Sequence, residues 1–131
     1  MATLQDELHI LFVDDEKELL EASAIQLQRM GLQVTGALSG TDALTALSRT
    51  PHAFCVLVTD LFMPGMDGRE LIEQARTIRA DIPVILLSGM GDAIDQDILD
   101  AMAPVHVMGK PIRIVDLVDI VRQIVIRQPL G

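Results

Sequence analysis

Cysteine occurs once among the 131 residues, as Cys55, so no disulfide can close within the chain. A lone thiol fits a reducing compartment, and the expectation is a cytoplasmic protein. Tryptophan and tyrosine are absent, which removes the usual fluorescence signal for ligand binding. Basic residues are few: ten Lys and Arg stand against nineteen Asp and Glu, a formal charge of −9. That balance disfavours direct contact with nucleic acid or anionic lipid, both of which select for positive surfaces. No apolar run approaches the roughly 20 residues needed to cross a bilayer. The first seven residues lack the basic start and apolar stretch of a signal peptide. Neither a Gly-x-x-x-x-Gly-Lys loop nor a Gly-x-Gly-x-x-Gly turn occurs, which excludes a P-loop nucleotide hydrolase and a dinucleotide fold.

What is present is apolar: half of the residues are hydrophobic and 22% are charged. The length suits one domain, which we expect to span 1–131 with a core of about residues 8–127. Short apolar runs alternate with segments of helical period. Strands are predicted at His9–Val13, Gln33–Ala37, Phe54–Thr59, Pro83–Leu87 and Val105–Met108. Three of these runs (Ile10–Val13, Phe54–Val58 and Val84–Leu87) are apolar without alternation, the pattern of strands covered on both faces. Helices are predicted at Glu16–Met30, Thr41–Ser48, Gly68–Ala80, Asp92–Ala103 and Ile112–Arg127. The first carries an inward stripe of Leu19, Leu20, Ser23, Leu27 and Met30 and stops at Gly31. The third is capped by Asp67 and turns Leu71, Ile72, Ala75 and Ile78 inward. The last presents Ile114, Leu117, Val118, Val121, Ile124 and Val125. Five successive βα units give a doubly wound α/β fold, a five-stranded parallel sheet with helices on both faces.

Such folds bind ligands beyond the carboxyl ends of their strands. The first strand runs into Asp14-Asp15-Glu16, the third into Asp60, the fourth into Ser88 and the fifth into Gly109-Lys110-Pro111. Each piece alone has a plainer reading: acids favour a helix N-terminus, Asp60 and the following loop suit a turn and a cap, and Ser88-Gly89 is an ordinary strand exit. Together, at the ends of four strands, they make one site. Three adjacent carboxylates repel, each pair by about 4 kcal/mol near a protein surface. A hard divalent cation relieves this, and an all-oxygen site suits Mg²⁺ or Mn²⁺. Asp14, Asp15 and Asp60 contribute −3, Lys110 +1 and the metal +2, so the site balances. It is equipped to receive a phosphoryl group, with Asp60 as nucleophile and Lys110 and Ser88 on the phosphoryl oxygens.

These residues resemble the receiver domains of two-component response regulators. The match lies in Phe12-Val13-Asp14-Asp15-Glu16, in Thr59–Gly68 with its Met63-Pro64-Gly65-Met66-Asp67-Gly68 loop, in Ser88-Gly89 and in Lys110-Pro111, and it covers nearly all of the chain. The resemblance implies a flavodoxin-like (βα)5 fold and Asp60 as phosphoacceptor. It implies Mg²⁺ on Asp14, Asp15, Asp60 and the backbone carbonyl of Phe62, with Ser88 and Lys110 contacting the phosphoryl group. The implied partner is a histidine kinase or a histidine phosphotransfer protein. In such a family the domain catalyses only its own phosphorylation and dephosphorylation, so it is a switch in a phosphorelay and not a turnover enzyme. No output domain is expected within these residues. The other reading is a phosphorylation-independent interaction module that kept the fold.

The sequence departs from the family at Val107, three positions before the lysine, where many receivers carry an aromatic switch residue. His106 beside it is expected to be solvated or packed at an edge. Ile112 stands where phenylalanine is common. Phe62, two residues after the acceptor, and Met90, two after Ser88, are bulky and apolar near the site, which predicts a slowly hydrolysing phospho-form. Ile25, off the stripe of the first helix, suits a docking phosphotransfer helix. Val115 and Ile126 on the last helix suit a weak homodimer. Cys55 and the seven methionines are expected to fill core space. An aspartate-nucleophile phosphatase is a poor fit, because Glu16 lies two residues after Asp14 where such enzymes need their second acid, and there is no room for a substrate-covering cap.

Overall fold

The computed structural model describes residues 8–89 and 94–127. Five strands, β1 (His9–Val13), β2 (Gln33–Ala37), β3 (Val56–Asp60), β4 (Val84–Ser88) and β5 (His106–Gly109), alternate with five helices, α1 (Lys17–Arg29), α2 (Gly40–Arg49), α3 (Gly68–Ile78), α4 (Gln96–Met102) and α5 (Ile114–Arg127). All strands are parallel in the order β2-β1-β3-β4-β5. The chain thus steps from β1 outward to β2 and then returns past β1 to β3. That reversal opens a crevice at the carboxyl ends of β1 and β3.

The alternation of strand side chains divides the core in two. Leu11, Val13, Leu57, Val84 and Leu86 meet Ala43 and Leu47 of α2, Leu71, Ile72 and Ala75 of α3, and Met102 of α4. Ile10, Phe12, Val56, Val58, Ile85 and Leu87 meet Leu20 and Leu27 of α1 and Leu117, Val118, Val121 and Ile124 of α5. The central strands are therefore apolar on both faces. Cys55 belongs to the second cluster as a buried free thiol, and burial pushes its pKa up to about 11.

The boundaries follow the turn chemistry. Asp67 caps α3, its carboxylate accepting from the Glu70 amide at 2.9 Å, and Gly31 takes a φ of +90° where α1 stops. Three expectations are corrected. Leu19 is not on the inward stripe of α1: it is 51% exposed, while its neighbour Leu20 is buried. Successive helical residues point about 100° apart, so only one leucine of the pair reaches the sheet. The fourth helix, expected from Asp92, starts at Gln96 because the Asp95 side chain accepts from the Asp97 amide at 2.9 Å and caps it there. Strands β3, β4 and β5 end one residue later than expected, which makes Asp60 and Ser88 the last residues of their strands. No helix among the described residues is long and apolar enough to cross a membrane.

Candidate functional site

Asp14 follows β1 directly. Its amide donates to the Ala37 carbonyl at 3.1 Å, and its Oδ1 accepts from the Glu16 amide at 2.9 Å, so the side chain is turned back over the start of α1. Asp15 is exposed beside it. Asp60 closes β3 and is only 4% exposed. One oxygen from each of Asp14, Asp15 and Asp60 lies within 4.8 Å of the others. Ser88 ends β4, one position beyond the Asp60–Leu87 pair, and its carbonyl accepts from the Lys110 amide at 2.7 Å. That bond ties the β5 exit to the β4 exit and sends the lysine back across the sheet edge. Its Nζ stands 2.6 Å from Asp60 Oδ1.

All five charged or hydroxylic side chains expected at the site thus stand at its strand ends. The sixth residue, Phe62, follows Asp60 by two with its side chain 61% exposed, whereas Leu61 and Met63 on either side are buried. The alternation anchors the loop through its neighbours and leaves the phenyl ring at the rim. Farther along, Gly65 takes a φ of +75°, a turn conformation that suits glycine. Gly68 then brings α3 against β3: its amide donates to the Leu61 carbonyl at 2.8 Å, and a Cβ there would fall 2.3 Å from the Asp60 carbonyl oxygen. Met90, the other apolar residue expected near the acceptor, lies outside the described residues.

Burial is the main reason that the Asp60 carboxyl is pushed up to about 6; Asp14 adds to the rise, and Lys110 opposes it. Burial pulls the Lys110 ammonium down, but Asp60, Asp14 and Glu16 outweigh this and leave it above the ordinary lysine value. The partner of the buried Asp60 Oδ1 is the Lys110 ammonium at 2.6 Å, a single cation set among three acids. Three converging carboxylates that share one ammonium keep a surplus of negative charge, which fits a hard divalent cation, and the donor set is all oxygen.

The unfolded chain ionises Asp60 near 3.8 and the fold near 6. Between those values the folded state holds more protons, so stability falls as pH rises through that window. Without divalent cation, Asp60→Asn should therefore be more stable than the parent at pH 8, by about 2–3 kcal/mol. The gap should close by pH 3 in urea titrations. Added Mg²⁺ should raise the parent's thermal midpoint and leave the variant's nearly unchanged.

A second feature was not expected from the sequence. A cleft of about 540 Å³ opens beside Asp14 and Lys110, walled by Leu19, Ser23, Pro111 and Ile114. The exposed Leu19 is its lip; the signal lay in the Leu19-Leu20 pair, of which α1 can bury only one.

The model of the response regulator receiver domain family matches residues 10–122. The chain belongs to that family. Among curated relatives of this receiver, the response regulator receiver protein CpdR of Brucella abortus is 30% identical over 117 residues, covering 89% of this chain and 96% of that protein. The transcriptional regulatory protein CseB of Streptomyces coelicolor is 34% identical over 92 residues, covering 70% of this chain and 38% of the regulator. The matched part of the receiver spans little more than a third of such regulators. A receiver domain protein from Clostridium thermocellum superposes with a TM-score of 0.83 at 28% identity, covering 92% of this chain and 95% of that one. As a receiver of two-component response regulators, the chain is a signalling domain and not a conventional enzyme, and its family implies phosphoacceptor signalling.

Proposed function

We propose that this receiver takes a phosphoryl group onto Asp60 from the phosphohistidine of a histidine kinase or a histidine phosphotransfer protein, in a Mg²⁺-dependent reaction in the cytoplasm. The observation that carries the reading is the contact of the Lys110 ammonium with a buried Asp60 carboxylate inside a cluster of three acids. A carboxylate oxygen of Asp60 attacks phosphorus. The bond from phosphorus to the imidazole nitrogen breaks, the nitrogen leaves with its electron pair, and the new bond joins phosphorus to the aspartyl oxygen. Lys110 releases Asp60 to the phosphoryl group and turns its charge onto a phosphoryl oxygen, while the Ser88 hydroxyl donates to another. Mg²⁺ (or Mn²⁺), which Asp14, Asp15, Asp60 and the Phe62 carbonyl would hold, supplies positive charge to the phosphoryl oxygens when bound. Dephosphorylation reverses the switch by attack of water on phosphorus. The exposed Leu19, Ile25 and Phe62 give the donor protein apolar footing around this edge, and the exposed Val115 and Ile126 support a weak homodimer through α5.

The test is intact-protein mass after incubation with Mg²⁺ and acetyl phosphate, repeated with a phosphorylated histidine phosphotransfer protein and with the metal chelated. One phosphoryl group is expected from either donor, and none under chelation. A parent that takes no phosphoryl group from either donor with Mg²⁺ present would favour the phosphorylation-independent interaction module.

The phospho-form should be long-lived. Phe62 follows the acceptor by two with its ring 61% exposed, an apolar cover that keeps ordered water from the phosphoryl group and that a docking donor protein can push aside. Phe62→Asn should shorten the lifetime of the phosphorylated protein about fivefold or more, by replacing an apolar cover with a group that holds water. The decay of the mass adduct after donor removal measures it. A parental lifetime of seconds would overturn the shielding role.

A further inference from the structure

The acceptor strand contains one buried polar side chain that the phosphoryl chemistry leaves without a task. Thr59 is fully buried, with 0% of its surface exposed. By the alternation of β3 it shares the face of Leu57, which packs under α2 and α3, and its strand partners on that face are Val13 and Leu86. Valine would fill such a position with the same shape and without a hydroxyl to satisfy. The threonine hydroxyl instead donates to the backbone carbonyl of Asp60 at 3.0 Å. This is the carbonyl against which Gly68 lies so closely that any side chain there would strike it at 2.3 Å. The Asp60 carbonyl is therefore held from two directions, by a hydroxyl from its own strand and by the first residue of α3.

We infer that Thr59 is a positioning residue for the acceptor: its hydroxyl fixes the Asp60 peptide plane, and with it the direction in which the carboxylate leaves the strand end. This rests on Asp60 being the phosphoacceptor. An in-line displacement depends steeply on the placement of the attacking atom, and a shift of about 1 Å can cost a hundredfold in rate. The carboxylate is only two bonds from the Asp60 Cα, so a tilt of that peptide moves it directly. Thr59 touches neither donor nor metal, and its removal should alter the rate at saturation and not the binding of either.

The experiment compares the parent with Thr59→Val, which keeps the shape and removes the donor, and with Thr59→Ser, which keeps the donor. Phosphorylation by acetyl phosphate is followed by intact mass across donor and Mg²⁺ concentrations. Thr59→Val should lower the saturating rate about tenfold, with half-saturating concentrations of donor and Mg²⁺ unchanged. Thr59→Ser should recover the rate to within about threefold of the parent, although it leaves a methyl-sized void and lowers the thermal midpoint more than valine does. That opposition separates positioning from stability. A Thr59→Val protein as fast as the parent, or a serine variant no faster than the valine one, overturns the positioning role while leaving Asp60 as acceptor. Failure of the parent itself to take the phosphoryl group overturns both.

Discussion

Asp60→Asn should gain no mass from acetyl phosphate and Mg²⁺ under conditions that fully phosphorylate the parent. The substitution keeps the volume and hydrogen-bonding outline of the side chain but replaces a carboxylate nucleophile by an amide, and it removes the charge that Lys110 contacts at 2.6 Å. Neither neighbouring acid can stand in for it. Asp14 is committed through Oδ1 to the Glu16 amide, and Asp15 is exposed to solvent. The same variant should be the more stable protein at pH 8 without metal, since burial and Asp14 disfavour the ionised Asp60. An inactive and stabilised protein cannot owe its inactivity to unfolding, so the pair of measurements assigns the loss to chemistry. Lys110→Ala makes a graded companion: it retains the acceptor and loses a cation on the developing charge, a deficit of about 10²–10³ in rate. A phosphoryl group found on Asp60→Asn would place the acceptor elsewhere.

The fold was legible because its central strands are apolar on both faces. Ile10–Val13, Val56–Val58 and Val84–Leu87 carry no polar alternation, and the structure covers each with helices on either side. The site was legible for the related reason that charge is conspicuous where such strands stop. Asp14, Asp60 and Lys110 each break an apolar run or terminate a short strand, and the parallel topology brings those ends together. Where the reading failed, the deciding force was three-dimensional. Leu19 has the same hydropathy as Leu20, and only the orientation of α1 on the sheet determines which is buried. Asp92, where the fourth helix was expected to start, lies outside the described residues, and the Asp95 side chain accepts from the amide two residues on and caps the helix at Gln96. Thr59 was hidden inside the motif itself, since a threonine before an aspartate has no signature that distinguishes a buried donor from a strand former.

Gly68→Ala should be strongly damaging for a single added methyl group, for a reason confined to backbone geometry. An alanine Cβ at this position would lie 2.3 Å from the Asp60 carbonyl oxygen and 3.0 Å from the Leu61 Cα. Both are main-chain atoms of the strand that carries the acceptor, so the collision cannot be relieved by a rotamer. Either α3 lifts from the sheet, where Leu71, Ile72 and Ala75 are fully packed, or the end of β3 moves. Overpacking of this kind costs about 2–3 kcal/mol, which for a domain of this length lowers the thermal midpoint by roughly 10 °C. Gly40 and Gly109 mark the contrast. At Gly40 a Cβ would meet the Met66 side chain, whose thioether can move aside, and at Gly109 it would meet nothing within 4 Å. Gly109→Ala, although adjacent to Lys110, should leave the thermal midpoint within about 2 °C of the parent. The effect on function should exceed the effect on stability: displacing the Asp60 carbonyl by even part of an ångström re-aims the carboxylate, and phosphorylation of Gly68→Ala should slow by about a hundredfold at temperatures where the protein remains folded. A variant that is destabilised yet phosphorylated at the parental rate would mean that α3, and not the strand end, yields to the added methyl group.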